Sequence, residues 1–316
     1  MKLKKRFSQY LIPVISGLLL YASLPDKLNA ATFFLSASNR DLIGQIQTLK
    51  VQKSETFFDI ARRYDLGFNE ITAANPNVDP WLPEAGSRII IPTLFILPIE
   101  RRGIVVNIAE MRLYYFHDSR HGKVVTTFPV GIGQEGFATP LGTFKIKEKI
   151  AKPSWTAPES IISAYAAKGI TVPKVMPPGP DNPLGDFAIL LNKPGYLLHG
   201  TNTPYSVGMR VSHGCLRLYP EDIQELVKLA PRGTKISIIN QPVKLGRDNN
   251  KALYIEAHQL LTEHENRNHN LLSMAADLAQ LYQTQLSPKD WDKVKLATSK
   301  PLGIPVIITQ ENHSFP

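Results

Sequence analysis

A single cysteine, Cys215, is the whole thiol inventory of these 316 residues. That excludes an intrachain disulfide framework and any zinc cluster built on several cysteines. Low-complexity tracts and a collagen period are also missing, although 25 prolines outnumber 20 glycines and imply many loops and linkers. Charged residues make up only 20% of the chain against 43% hydrophobic, the balance of a folded protein rather than a disordered one. The formal net charge is +9. Residues 1–30 supply Lys2, Lys4, Lys5, Arg6 and Lys27 against Asp26, so the remainder is nearer +5. That excess favours an anionic partner and is too weak to argue for nucleic acid. The length leaves room for two domains of about 150 residues each.

Long apolar runs are equally scarce. The only one is Tyr10–Leu24, which follows the basic stretch Lys2–Arg6 and precedes the small residues of Asn29-Ala30-Ala31. This is the layout of a secretory signal peptide over residues 1–30, and its apolar core is short for a bilayer span. The chain is therefore expected to be exported, to a periplasm. An uncleaved N-terminal anchor is the competing reading. A free thiol in an oxidising compartment needs a reason to be there.

Residues 48–92 read as a compact βααβ unit. Leu49–Gln52 is a short strand, and Thr56 with Asp59 forms a capping box for a helix whose Phe57, Ile60, Ala61 and Tyr64 share one face. Gly67 suits the position that ends this helix, and Asn69 can cap a second one that stops at Asn75-Pro76. Arg88–Ile91 closes the unit before Pro92. Val51-Gln52-Lys53-Ser54-Glu55-Thr56, Asp59–Tyr64, Ala74-Asn75-Pro76 and Ile89–Pro92 together resemble a LysM module, with Ser54-Glu55 where that family usually shows Gly-Asp. The resemblance implies binding to the N-acetylglucosamine-containing glycan of peptidoglycan. A spacer without glycan affinity is the alternative.

Residues 93–102 read as a linker, and from Gly103 the pattern turns to strands. Ile104–Ile108 and Arg112–Phe116 flank a hairpin turn. Lys123–Gly131, Thr143–Lys149, Phe187–Leu191, Tyr196–His199 and Lys235–Ile239 are further strands, with one helix from Pro220. Residues 150–187 form a long proline-rich segment of the kind that serves as a lid or binding loop. Residues 103–240 are thus a β-dominated mixed-sheet or sandwich domain in an α+β chain. Residues 241–316 read as a helical extension, with helices over Ala252–Glu265, Leu271–Leu286 and Pro288–Lys295. His258, His264 and His269 in it do not share a helical face and read as solvated rather than metal-binding.

Chemistry concentrates in His199-Gly200-Thr201 and Ser212-His213-Gly214-Cys215-Leu216-Arg217. A free thiol has a pKa of about 8.5, so a nucleophilic cysteine needs a base or an imidazolium beside it. Either His199 or His213 meets that need. Gly214 allows close backbone approach, and amides around Cys215 suit an oxyanion site. Three other readings compete: a structural buried cysteine, an open zinc site on the two histidines and the cysteine, and a core His213 beside a working Cys215–His199 pair.

The segment from His199 to Arg217 is similar to the signature of the L,D-transpeptidase catalytic domain. Ile104–Asn107, Arg112–Tyr115, Pro129–Gly133, Thr139–Phe144, Gly179–Gly185 and Pro231–Thr234 extend the match across residues 103–240. The module order, and Trp291 to Pro305 at the end, resemble the periplasmic subgroup that attaches the murein lipoprotein to peptidoglycan. The resemblance implies Cys215 as nucleophile and His199 as proton carrier, oriented by a backbone carbonyl of the Gly200 kind. It implies His213 and Gly214 at the oxyanion site, Ser212 and Arg217 in support, and no metal or organic cofactor. Peptidoglycan is the implied partner, and the acceptor is the lysine of an outer-membrane lipoprotein or a second stem peptide; a hydrolytic L,D-carboxypeptidase and a non-catalytic peptidoglycan-binding protein are the alternatives.

Overall fold

The computed structural model describes residues 30–35, 41–264 and 270–309. The expected leader, apart from residue 30, lies outside the described residues, as does His269. Among the described residues no helix is long and apolar enough to cross a membrane. A nine-stranded sheet organises the chain. Its spatial order is Ala31–Phe34, Gly122–Pro129, Arg112–Ser119, Gly103–Asn107, Lys235–Ile239, Gly142–Ala151, Phe187–Leu191, Leu197–His199 and Leu216–Arg217. Two neighbouring pairs run parallel, Lys235–Ile239 with Gly103–Asn107 and Leu197–His199 with Leu216–Arg217. The fold is mixed α+β, as the strand and helix patterns imply.

Alternation along the strands gives the sheet two buried faces. Ile104, Val106, Leu113 and Tyr115 join Ile223 and Leu226 of the helix Pro220–Leu229 in one core. Val105, Tyr114, Phe116 and Val125 face the other way, into a second core with Phe57, Ile60, Leu66 and Ile71 of the βααβ unit. That unit is therefore fused to the sheet rather than tethered to it. Arg112, fully buried, reaches from the sheet to Glu70 with a two-pronged ion pair at 2.7 and 2.9 Å and donates to the Asp65 carbonyl at 2.8 Å.

Within the unit, strands Leu42–Lys50 and Arg88–Ile96 pair antiparallel around helices Phe57–Arg63 and Phe68–Ala74. The capping box is present, with the Thr56 N–H donating to Asp59 at 2.9 Å. Three expectations need correction. The left-handed residue after the first helix is Asp65, at φ 53°, not Gly67. Gly67 instead caps the second helix and Asn69 lies inside it. Glycine is required at 67 because a Cβ there would stand 2.7 Å from the Gly208 Cα of the sheet domain. Pro92 does not end its strand and residues 93–96 are not linker. Pro92 stands opposite Ile46 in a two-stranded ribbon, where its missing N–H can face outward.

The extension after residue 241 is not wholly helical. Val243–Arg247, Leu253–Ala257 and Val306–Thr309 form a three-stranded sheet, packed by helices Leu271–Leu281 and Pro288–Ser299. Leu253, Ile255 and Ala257 alternate into the core as a strand should, but Glu256 is buried too and breaks the pattern by eye. It is buried because Lys244 Nζ lies 2.7 Å from it and 2.7 Å from Glu110, and donates to the Ile96 carbonyl at 2.7 Å. His258 lies 2.7 Å from Glu256 on the same network. Glu110, Glu256 and His258 come close enough to hold a cation, and the Lys244 ammonium supplies it.

Candidate active site

Register places the reactive groups. Leu198 pairs with Leu216 and His199 with Arg217 across the last two strands of the sheet. Leu198 and Leu216 are sealed in the core, a burial contributing about 1.5–3 kcal/mol each. Residues on either side of them point to the opposite face. Leu197, His199 and Arg217 therefore share that face, and Cys215 lies in the loop directly before the last strand, beside the Leu197 backbone and the Arg217 charge.

Cys215 sits in a tight loop after the strand Arg210–Ser212. The Ser212 hydroxyl ties the loop, donating to the Cys215 carbonyl at 2.6 Å and accepting the Gly214 N–H at 3.2 Å. Gln134 N–H donates to the Ser212 carbonyl at 2.9 Å from the neighbouring segment. Gly214 has φ 99°, and a Cβ there would lie 2.9 Å from the Tyr196 ring. Gly214→Ala is expected to cost about 1–3 kcal/mol of loop strain. Acylation by a carbapenem-type β-lactam should slow by about tenfold or more while the melting temperature falls by only a few degrees. Wild-type acylation in this variant would show that the loop tolerates the shift.

The His199 ring is buried, with Nδ1 2.6 Å from the Gly200 carbonyl oxygen. A carbonyl only accepts, so Nδ1 carries the proton and Nε2 the lone pair. Burial pushes the His199 pKa down to about 3, and the nearby Arg217 charge adds to this against the Gly200 and Pro183 backbone. Burial also raises the Cys215 thiol, against the Leu197 backbone and the Arg217 charge. The thiol donates to the Gly195 carbonyl at 3.7 Å. At neutral pH the resting site thus pairs a neutral thiol with a neutral imidazole.

His213 lies against Phe137, with ring centroids 4.3 Å apart. Its Nε2 is buried and finds no partner among the described residues, and the same holds for Arg217 Nε. Arg217 is otherwise anchored: its Nη1 donates to the Ser206 hydroxyl at 2.8 Å, and its backbone exchanges hydrogen bonds with Gly131 at 2.7 and 2.9 Å. Ser206, Phe137 and Tyr196 are contributors that the sequence gives no pattern for, since each arrives from a distant loop. Tyr165, on the helix Glu159–Ala166 within the 150–187 segment, stands in the neighbourhood of Arg217. No residue of that helix is buried, whereas Asn182 at its base is, donating to the Pro153 carbonyl at 2.9 Å.

A cysteine and a tautomer-fixed histidine brought to neighbouring strand ends, both within reach of the Arg217 charge, are the elements from which a cysteine acyltransferase site can be built. Residues 101–238 match the L,D-transpeptidase catalytic domain family and residues 49–92 the LysM domain family. The chain is 38% identical over 320 residues to the probable L,D-transpeptidase YcfS of Escherichia coli K12, covering 99% of each chain. It is 37% identical to YbiS of the same strain, across 88% of this chain and 92% of that one, and 37% identical to ErfK/SrfK, across 89% and 91%. The chain belongs to the L,D-transpeptidase family and is a peptidoglycan L,D-transpeptidase carrying a LysM module.

Proposed function

We propose that Cys215 is the nucleophile and His199 the proton carrier of a two-step acyl transfer. The observation that supports this most directly is the pairing of Leu198 with Leu216, which sets the His199 and Cys215 ends of the last two strands next to each other, with His199 Nδ1 tied to the Gly200 carbonyl so that Nε2 carries the lone pair. Cys215 Sγ attacks the carbonyl joining the diamino acid at stem position three to D-Ala at position four, and His199 Nε2 takes the thiol proton as the bond forms. The imidazolium then protonates the departing D-Ala amine, leaving a thioester. An acceptor amine attacks the thioester and passes a proton back through His199 to the thiolate. Arg217 Nε and His213 Nε2, buried and without partners among the described residues, supply polar contacts for the oxyanion and stem. Ser212, Gly200 and Gly214 hold the two loops in register.

The acceptor in this reading is the C-terminal lysine of an outer-membrane lipoprotein, on the similarity of Trp291 to Pro305 to that subgroup. Lys2–Arg6 and the apolar run after it support export to the periplasm. Residues 103–240 act as the catalytic domain, 48–92 as the glycan-binding module and 241–316 as a structural extension. Incubating the enzyme with disaccharide-tetrapeptide, with and without a lysine-ended peptide, tests the acceptor. Mass analysis should find the lysine-linked product, and formation of only a 3–3 crosslink or a hydrolysed tripeptide would overturn it.

Trp81 and Leu82 are exposed on the module, and Trp81 packs beside Phe58 and Phe68 with centroids at 5.1 and 5.7 Å. Such a ring cluster suits a sugar face. Trp81→Ala in the full chain is expected to weaken sedimentation with insoluble peptidoglycan about tenfold while leaving β-lactam acylation at the wild-type rate. Unchanged sedimentation would mean that the module is a spacer.

A further inference from the structure

The strand Ala31–Phe34 begins with its backbone in a cluster of acids. Ala31 N–H donates to Asp65 Oδ2 at 3.2 Å, and the Ala30 N–H is bonded to Glu225. Asp65 and Asp222 are buried, and Asp65 Oδ1 and Asp222 Oδ2 find no partner among the described residues. Orphaned carboxyl oxygens in a protein interior are costly and call for a missing partner. The neighbouring cations are already engaged. Arg112 grips Glu70, Arg62 grips Glu221 at 2.8 and 2.9 Å, and Lys228 acts on the half-buried Glu225. Asp65, Glu70 and Asp222 thus share the buried Arg112, which is already paired with Glu70.

We propose that Asp65 and Asp222 form the seat for the α-ammonium of Ala31, released when the leader is cut at the Ala30–Ala31 bond. The inference rests on the export reading, because a peptidase of the export route, using water, must make the cut. Hydrolysis breaks the Ala30–Ala31 amide. The hydroxyl of water goes to the Ala30 carbonyl, its hydrogen goes to the Ala31 nitrogen, and that amine takes a further proton at neutral pH, its ordinary pKa being about 7.7–8.0. The position of the charge is set by the strand. Ala31–Phe34 pairs with Gly122–Pro129, Ala31 opposite Thr127, so the new terminus is held at Asp65 rather than frayed. Ala30, itself buried, leaves with the peptide, and the nitrogen gains donors to reach the oxygens that had none.

The cluster responds to pH differently before and after cutting. In the uncut chain burial raises Asp65 to about 7, with Arg112 and the Ala31 bond opposing and Glu70 and Glu225 adding to the rise; Asp222 is also raised. A folded carboxyl raised above its unfolded value of 3.8 contributes stability below that value and loses it as pH rises through about 7. In the cut chain the ammonium holds both carboxylates ionised, and that loss disappears until the amine itself deprotonates.

Two measurements test this. Intact-mass analysis of the full chain after export should give a protein beginning at Ala31. Thermal unfolding then compares that protein with the same chain bearing two extra residues, Gly-Ser, before Ala31. At pH 8 the extended chain should melt about 5 °C lower. Asp65→Asn should lower the melting temperature of the Ala31 chain and raise that of the extended one, a reversal of sign that loss of a merely structural carboxylate would not produce. An uncut chain retained in the cytoplasm would overturn the export reading and the inference together. Cutting at another bond, equal melting of the two chains, or the same sign for Asp65→Asn in both would overturn the inference alone.

Discussion

Replacing His199 with alanine should reduce carbapenem acylation and D-Ala release by at least about 1,000-fold, while His213→Ala costs about tenfold. General-base assistance contributes roughly 100- to 10,000-fold, and the upper part of that range applies where the thiol is held un-ionised. Burial keeps the Cys215 thiol above its ordinary range, so thiolate is scarce at pH 7 and the proton must leave as the carbon–sulfur bond forms. His199 at about 3 remains a competent acceptor across the neutral range. Acylation by a β-lactam should therefore be nearly flat from about pH 5 to pH 8. Alkylation by iodoacetamide, which draws on free thiolate, should climb about tenfold per pH unit over the same span. His199→Ala should make acylation follow the alkylation profile. His213 sits two residues from Cys215, packed on Phe137, and its loss should leave both profiles in shape. If His213→Ala steepens the acylation profile and His199→Ala does not, the two histidines have exchanged roles.

The largest effect on stability is expected from Lys244→Met. Lys244, Glu110 and Glu256 are each almost fully excluded from solvent, and removing the ammonium strands two carboxylates in the interior. Breaking such a pair from one side costs about 3–5 kcal/mol, enough to lower the melting temperature by roughly 10 °C in a domain of this size. The sign with pH follows from Glu256, which Lys244 and His258 hold below its ordinary value against burial. In the wild type this contribution is present above pH 4.5 and is lost as pH falls. Lys244→Met should therefore be most damaging near neutral pH and less so in acid, where the carboxylates take up protons. The triple change to Met at 244 with Gln at 110 and 256 should recover much of the loss. Chemical denaturation at pH 7 and pH 4.5 checks both points. Equal stability of Lys244→Met and wild type would mean that the extension after residue 241 is not held by this network.

The strand and turn grammar of the catalytic region was legible because its residues alternate cleanly. Asn107 opposite Arg112, Phe187–Leu191, the helix from Pro220 and the Thr56–Asp59 cap all fall where local pattern places them. His199 and Cys215 stand out in the sequence through residue type and order alone, and the register sets them at neighbouring strand ends. What was hidden is tertiary in origin. Glu256 reads as solvent-facing until Lys244 is beside it, so Leu253–Ala257 passes for helix. Gly67 reads as a helix end until Gly208 is seen against it. The fusion of the βααβ unit to the sheet depends on Arg112, which looks like a surface charge in sequence and is fully buried. Ser206 reaches Arg217 from a loop whose composition carries no sign of that role.

The central claim is a covalent acyl-enzyme on Cys215, formed with His199 as base. The most direct measurement is intact-mass spectrometry of the protein quenched during turnover of disaccharide-tetrapeptide without an acceptor, followed by peptide mapping. The account predicts one adduct, the stem acyl group minus D-Ala, on the peptide containing Cys215. It should be absent in Cys215→Ser and reduced at least about 1,000-fold in rate in His199→Ala. D-Ala release with no adduct on Cys215, or an adduct that persists in Cys215→Ser, would contradict it.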